Sequence, residues 1–313
     1  KIQRQRRKKE SMKIEEFVEK VRSELGKELG DGYRVEPKEV RKNNGVILHG
    51  LIVLEQGQNV APTIYLDTFL EAYESGATFQ SILNRLLDIC REKASKKAID
   101  MDFFRSFEDV RDRICYRLIG KERNEGLLEE IPYLDFLDLA ICFYYAYHSD
   151  ILGDGTILIY NSHMELWETC IAELFGLAKR NTARLFPWTC ASMEEVLREM
   201  EGQDAGPEDT AVQDASLQEM PLRILSNTRR THGAACMLYP GVLESLASKE
   251  GHDLYILPSS VHEVILLPDI GVPSAEELRK IIKEVNDTQV APEEVLSYSL
   301  YRYRRMDGRV TIV

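Results

Sequence analysis

The sequence predicts an α+β fold in which antiparallel or mixed sheets are built from hairpin–helix units, with the helices packed on the sheets. Apolar residues alternate at strand spacing on both sides of tight-turn segments such as Asn43-Asn44-Gly45 and Gly153-Asp154-Gly155. Between those hairpins the spacing lengthens to the three-and-four rhythm of amphipathic helices. Strand-like segments come in adjacent pairs, whereas a doubly wound parallel sheet needs a helical crossover between every two strands.

Each element follows from the same reading. Ile14, Phe17, Val18, Val21 and Leu25 fall at helical spacing, and Gly26 is expected to close that helix. The apolar residues of GYRVEPKEVRKNNGVILHGLIVLE then alternate around Asn43-Asn44-Gly45, where Asn and Gly tolerate the positive φ of a tight hairpin. After PTIYL, helices are predicted over 67–75 and 78–93, the second carrying Phe79, Ile82, Leu83, Leu86, Leu87 and Cys90 on one stripe. SFEDVRDRI starts a helix that leads into the strand CYRLIG. LDLAICFYYAY and TILIY form a hairpin through Gly153-Asp154-Gly155. Ser162, with Glu165 three residues on, reads as the capping box of a helical region that runs to Pro187.

Farther along, PLRILSNT and GAACMLY read as strands and PGVLESLASKEG as a helix. DLYILP and EVILLPD add two strands, SAEELRKIIKEVN a helix capped by Ser274, and SYSLYRYRR with RVTIV a closing hairpin through Asp307-Gly308. In DLYILPSSVHEVILLPD both faces of each strand are apolar, the pattern of strands interior to a sheet covered on both sides. PSSV is then the turn, Pro258 ends the first strand because it donates no ladder bond, and His262 and Glu263 diverge to opposite faces. Hairpin followed by helix recurs near 33–75, 136–178, 222–249 and 253–286, a shared building habit without visible sequence self-similarity.

Composition divides the 313 residues further. Residues 1–11 carry six basic side chains and one acid and read as a disordered basic extension, with Met12 opening the first patterned helix. Residues 12–201 form an N-terminal α+β domain, 202–220 (QDAGPEDTAVQDASLQE and its flanks) an acidic linker or loop, and 221–313 a C-terminal α+β domain. Net charge is −12, so without the basic extension the chain stands near −17. That charge repels nucleic acid, while the tail from Lys1 to Lys9 could bind a polyanion. No run approaches the roughly 18–20 apolar residues of a membrane span, and the N-terminal pattern is not that of a signal peptide. The cytoplasm is the expected compartment. Six cysteines, spread singly among apolar neighbours with no CxxC pair, fit small buried hydrophobes in a reducing environment.

No motif announces an activity. GxxxxGK[ST], GxGxxG and GxSxG are absent, and His262-Glu263 is not followed by the second histidine of HExxH, because position 266 is Leu. No cofactor and no metal site are predicted. The weak catalytic candidates are His232, Cys236, His262 and Glu263, which share the C-terminal segment: an imidazole could serve as base for the Cys236 thiol, with Glu263 or Asp253 orienting it. Ser259 and Ser260 lie too near His262 in sequence to be served by it in a turn. The binding candidates are Tyr301, Arg302, Tyr303 and Arg304. Strand alternation puts the two tyrosines on one face and the two arginines on the other. FYYAYH at 143–148 is a second aromatic cluster.

The segments 62–76, 156–187 and 227–269 (NTRRTHGAACMLYPGVLESLASKEGHDLYILPSSVHEVILLPD) carry a resemblance to an uncharacterised family of bacterial proteins with a domain of unknown function, found in anaerobic gut bacteria. AKRNTARL and the final strand pair are more remotely similar to another uncharacterised bacterial group. The resemblance implies a bacterial cytosolic protein and no known activity or site residues. Two functions stay open: a non-enzymatic protein-binding or regulatory protein, or a hydrolase or metal-dependent enzyme built on the His232, Cys236, His262 and Glu263 neighbourhood.

Overall fold

A computed structural model describes residues 12–57, 61–92, 102–149, 153–192, 195, 222–271 and 273–313. The basic extension 1–11 and the acidic segment 202–220 lie outside the described residues. Two compact units form, one up to residue 101 and one from 102–149 together with 153 onward. Among the described residues every strand pair is antiparallel, in three sheets with helices beside them, an α+β fold.

In the first unit, helix α1 (Ile14–Leu29) buries Phe17, Val18, Val21 and Leu25. It runs through Gly26 and ends at Gly30, whose φ of 77° supplies the left-handed C-terminal position that favours glycine. The predicted stop at Gly26 is therefore one turn early: Leu25 and Leu29 extend the apolar stripe across it. Strands β1 (Tyr33–Arg41) and β2 (Ile47–Glu55) pair from Tyr33↔Glu55 to Arg41↔Ile47. Their turn has Asn44 at φ 60° and Gly45 at φ 70°, the conformation for which those residues were singled out. A short β3 (Thr63–Tyr65) completes the sheet, and helices α2 (Asp67–Glu74) and α3 (Phe79–Glu92) close the core with Ile82, Leu83, Leu86, Leu87 and Cys90.

The second unit contains two sheets. Helix α4 (Phe107–Val110) and a 3-10 turn lead into β4 (Ile114–Gly120). The long strand β6 (Leu139–Ser149) pairs with β4 along one side. Its other side is shared end to end by β5 (Tyr133–Phe136) and β7 (Gly153–Leu158). A short helix α5 (Glu125–Leu128) precedes β5.

Helix α6 (Asn161–Leu166) begins after Tyr160, whose backbone N–H donates to His163 Nδ1 at 3.1 Å, so His163 and not the Ser162–Glu165 box closes that end. The single helix expected up to Pro187 is broken: Glu168 sits at φ 51°, and α7 (Ile171–Leu185) starts afresh. Within α7, Asn181 donates from Nδ2 to the Arg111 and Ile114 carbonyls, and the Thr182 hydroxyl accepts from the Tyr116 N–H. These buried polar side chains satisfy the otherwise open edge of β4.

The second sheet runs β13-β12-β10-β11-β9-β8. Its strands are β8 (Trp188–Ser192), β9 (Arg223–Asn227), β10 (Leu254–Ser260), β11 (Glu263–Pro268), β12 (Tyr301–Arg304) and β13 (Arg309–Ile312). β10 and β11 are interior, as their two apolar faces imply. Leu254, Ile256, Val264 and Leu266 face the main core, while Tyr255, Leu257 and Leu267 meet Leu278 and Ile282 of α9 (Ala275–Thr288). Ser274 caps α9 by accepting from the Glu277 N–H while Glu277 accepts from the Ser274 N–H.

Pro258 does not end β10. The strand continues to Ser260 across a register shift after Leu257, and the turn is Val261-His262. Irregular pairing at the shift is what admits a proline, since no ladder bond is asked of its nitrogen. GAACMLY is also not a strand: Gly233–Leu238 forms a buried 3-10 turn. A Cβ on Gly233 would lie 2.2 Å from Ser226 Oγ and 2.4 Å from the His262 carbonyl oxygen. This close approach wedges the segment against β9 and leaves no neighbouring strand to pair with it. Helix α8 (Val242–Glu250) follows and ends at Gly251 with φ 78°. β8 and β9 pair over five positions from Trp188↔Asn227 to Ser192↔Arg223. Described residues before and after the acidic segment thus share one sheet and one core, and the division between compact units falls near residue 101. Among the described residues no helix is long and apolar enough to cross a membrane.

Candidate functional site

The four catalytic candidates come near one another in sequence but are held for structural work. Cys236 sits within the 3-10 turn at 0% exposure in the main core. Burial pushes its thiol up to about 12, against a hydrogen bond with Tyr239 that pulls the other way. A thiol so placed yields little thiolate at neutral pH. His232 adopts φ 53°, and its ring stacks on His262 with centroids 5.8 Å apart and planes 13° off parallel. Burial, with Arg117 and His262 nearby, lowers its pKa to about 3.

His262 is engaged on both nitrogens. Nδ1 accepts the His232 backbone N–H at 3.2 Å, which puts its proton on Nε2, 3.4 Å from Glu294. Glu263 opens β11 opposite Ser260, whose Oγ accepts the His262 N–H at 3.1 Å. Among the described residues no group of three or more His, Cys, Asp or Glu could hold a metal ion.

The closing hairpin forms, yet Tyr301 and Tyr303 are 0% and 6% exposed and belong to the main core. The Tyr301 hydroxyl donates to Asp138 Oδ1 at 2.7 Å, and the Ser297 hydroxyl to Oδ2 at 2.6 Å. Arg302 bridges Asp253 and Asp269, and Arg304 pairs with Asp307. The tyrosine ladder is a core feature, and the arginines answer local carboxylates.

A cleft emerges where the sequence reading placed none. In antiparallel strands directly opposite residues share a face. The register Cys115↔Tyr144, Arg117↔Cys142, Tyr144↔Leu158, Ala146↔Thr156 and His148↔Asp154 therefore puts these side chains on one face of the β4–β6–β7 sheet. Ile114, Tyr116, Phe143 and Tyr145 take the other face and enter the core. Over the first face lies a cavity of about 290 Å³, lined by Arg113, Tyr144, Ala146, Asp154, Thr156, Leu185, Phe186, Arg229 and Thr231 among others.

The half-buried Phe186 gives the wall its aromatic surface and packs on the buried Tyr144, ring centroids 6.4 Å apart. At one end the Arg113 Nε donates to the Ala146 carbonyl at 2.6 Å. At the mouth Asp154 ion-pairs with Arg229 and accepts from the exposed His148, Nδ1 to Oδ1 2.7 Å. Beside Tyr144, Arg117 has an Nε sealed from solvent without a hydrogen-bond partner, and the same holds for His232 Nδ1. Burial lowers the Arg117 pKa, and the influences opposing it come from Cys142, Tyr144 and Tyr160, not from a carboxylate.

FYYAYH marks β6 in the sequence. RICYR at 113–117 is the local signal for the arginines, two basic residues in an apolar run: Arg117 lies in β4 on the Cys115 face, and Arg113 closes the 3-10 turn that leads into the strand.

Comparison with curated proteins and with solved structures gives no match. Residues 14–305 match the family of unknown function DUF5688, and the chain belongs to that family.

Proposed function

We propose that this chain is a non-enzymatic binding protein whose recognition site is the cleft over Tyr144. The observation that supports it most is the combination at that cleft of an apolar aromatic wall with a few convergent polar groups, the usual make-up of a ligand site. The catalytic candidates support no competing centre: the Cys236 thiol is buried and raised, and His262 is engaged at Nδ1 and close to Glu294 at Nε2. A regulatory role would follow if ligand binding alters what the protein does elsewhere.

One observation favours a second, hydrolytic reading. The His148–Asp154 hydrogen bond of 2.7 Å lies at the cleft mouth, an arrangement that can orient an imidazole as a base. The same experiment separates the two. Small acids, amines and neutral aromatics are screened by thermal shift against the native chain and a Thr156→Trp variant. Thr156 is exposed, lines the cleft and lies opposite Ala146 on the cleft face, so an indole there occupies the cleft. Ligands that stabilise the native chain, lose their effect in Thr156→Trp and are recovered chemically unchanged are the expected result. Conversion of a bound ligand would favour the hydrolytic reading. Equal shifts in both proteins would overturn the assignment of the cleft.

A further inference from the structure

We propose that the cleft takes a small flat carboxylic acid, its carboxylate on Arg113 and its apolar body against Phe186 and Leu185. The inference rests on the reading of the cleft as a binding site and adds the chemistry of the ligand.

Charge is the first argument. Arg229 and Asp154 neutralise each other within the cleft. Arg113 has no such partner: its Nε is fixed on the Ala146 carbonyl, and no carboxylate of the described residues lies within ion-pair distance of it. Its two Nη groups remain as a fork, the geometry that grips a carboxylate through two parallel hydrogen bonds.

The surroundings strengthen the field. The Cys115 thiol, directly opposite Tyr144 across the ladder, feels both Arg113 and Arg184. Arg184 itself donates to the Asp112 carbonyl and to Asn181 and pairs with no described carboxylate. Arg117 sits on the same sheet face with its Nε unsatisfied. Arg113 lines the cleft, and Arg184 near Cys115 and Arg117 near Tyr144, also without carboxylate partners among the described residues, add to the positive field behind it, in a chain of net charge −12.

Shape supplies the other half. One free guanidinium fork suits a monoanion better than a polyphosphate. The half-buried Phe186 and Leu185, backed by the buried Tyr144 and Ala146, offer an apolar, partly planar wall, and about 290 Å³ is room for a ligand of small size. The hydroxyls of Thr156 and Thr231, also lining the cleft, can serve carboxylate lone pairs that Arg113 leaves open.

Isothermal titration of the full chain with benzoate, benzamide and inorganic phosphate tests this. Benzoate is expected to bind, with benzamide and phosphate each weaker by about tenfold or more, because one lacks the charge and the other the ring. Arg113→Gln should weaken benzoate by about tenfold or more with melting behaviour retained, and Arg113→Lys should keep part of the affinity because charge survives without the fork. Should Arg113→Gln fail to fold, the benzoate and benzamide comparison on the native chain still decides.

Benzamide binding as tightly as benzoate, with both lost in Thr156→Trp, would overturn the carboxylate assignment while leaving the cleft a binding site. Phosphate binding as tightly as benzoate would overturn the flat-acid assignment. No binding of any probe to the native chain, or benzoate binding untouched by both Thr156→Trp and Arg113→Gln, would overturn the inference together with the reading it rests on.

Discussion

His232 shows how a residue that looks chemical in sequence becomes structural in the fold. Its pKa, usually near 6.5, falls to about 3 through burial first and the nearby Arg117 and His262 next. The unfolded chain takes up a proton there as pH drops through about 6.5, and the folded chain resists until about 3. The group's contribution is thus full at neutral pH and is lost progressively on acidification through that window, at a slope of up to ~1.4 kcal/mol per pH unit. His232→Asn tolerates the same left-handed backbone without titrating. In urea melts its stability should decline less between pH 6.5 and 4.5 than that of the native chain, and parallel declines would contradict the assignment. The thiols make a second test. With a thiol reagent under native conditions the exposed Cys170 should label first, while Cys115, Cys142 and Cys236 label only as the chain unfolds. Apolar cysteine surroundings were legible in the sequence. The placement of His232 was not, because the contact that buries it comes from a turn 30 residues away.

Among the elements, those with strong local signals formed where the sequence put them: the Asn43-Asn44-Gly45 hairpin, the α3 stripe, the Ser274 cap and the closing hairpin. The misreadings share one cause, long-range packing that overrides local preference. GAACMLY has strand-like composition, but the close approach of Gly233 to Ser226 and His262 turns it into a 3-10 segment. Gly233→Ala should therefore destabilise by about 3 kcal/mol, since overpacking against backbone cannot be relieved by a rotamer change. Gly176, inside α7, has nothing within 4 Å of its would-be Cβ, and Gly176→Ala should stabilise by about 0.5–1 kcal/mol. Denaturant midpoints of the two variants check both signs. A neutral Gly233→Ala would mean that the segment is looser than the fold described.

At the scale of the whole molecule, composition pointed to a boundary at 202–220 because that segment is acidic and unpatterned. Pattern cannot reveal that β8 and β9 pair across it or that Leu174, Leu177, Leu225 and Ile256 share one core. A full chain carrying a protease site inserted within 202–220 should, once cut, still elute as one species and melt in a single second-unit transition. Separation into two folded pieces would contradict the shared sheet. The cleft belongs to this scale too, for its walls come from the 3-10 turn before β4, from β6 and β7, the end of α7 and the loop after β9. Only the aromatic run at 143–148 and the paired arginines of RICYR were written locally. That this cleft binds a flat acid through Arg113 is tested most directly by anomalous diffraction from crystals of the full chain soaked with 4-bromobenzoate. A bromine peak in the cleft beside Phe186, with the carboxylate on the Arg113 Nη groups, is the expected result. A peak elsewhere on the molecule, or an empty cleft at saturating soak, would contradict it.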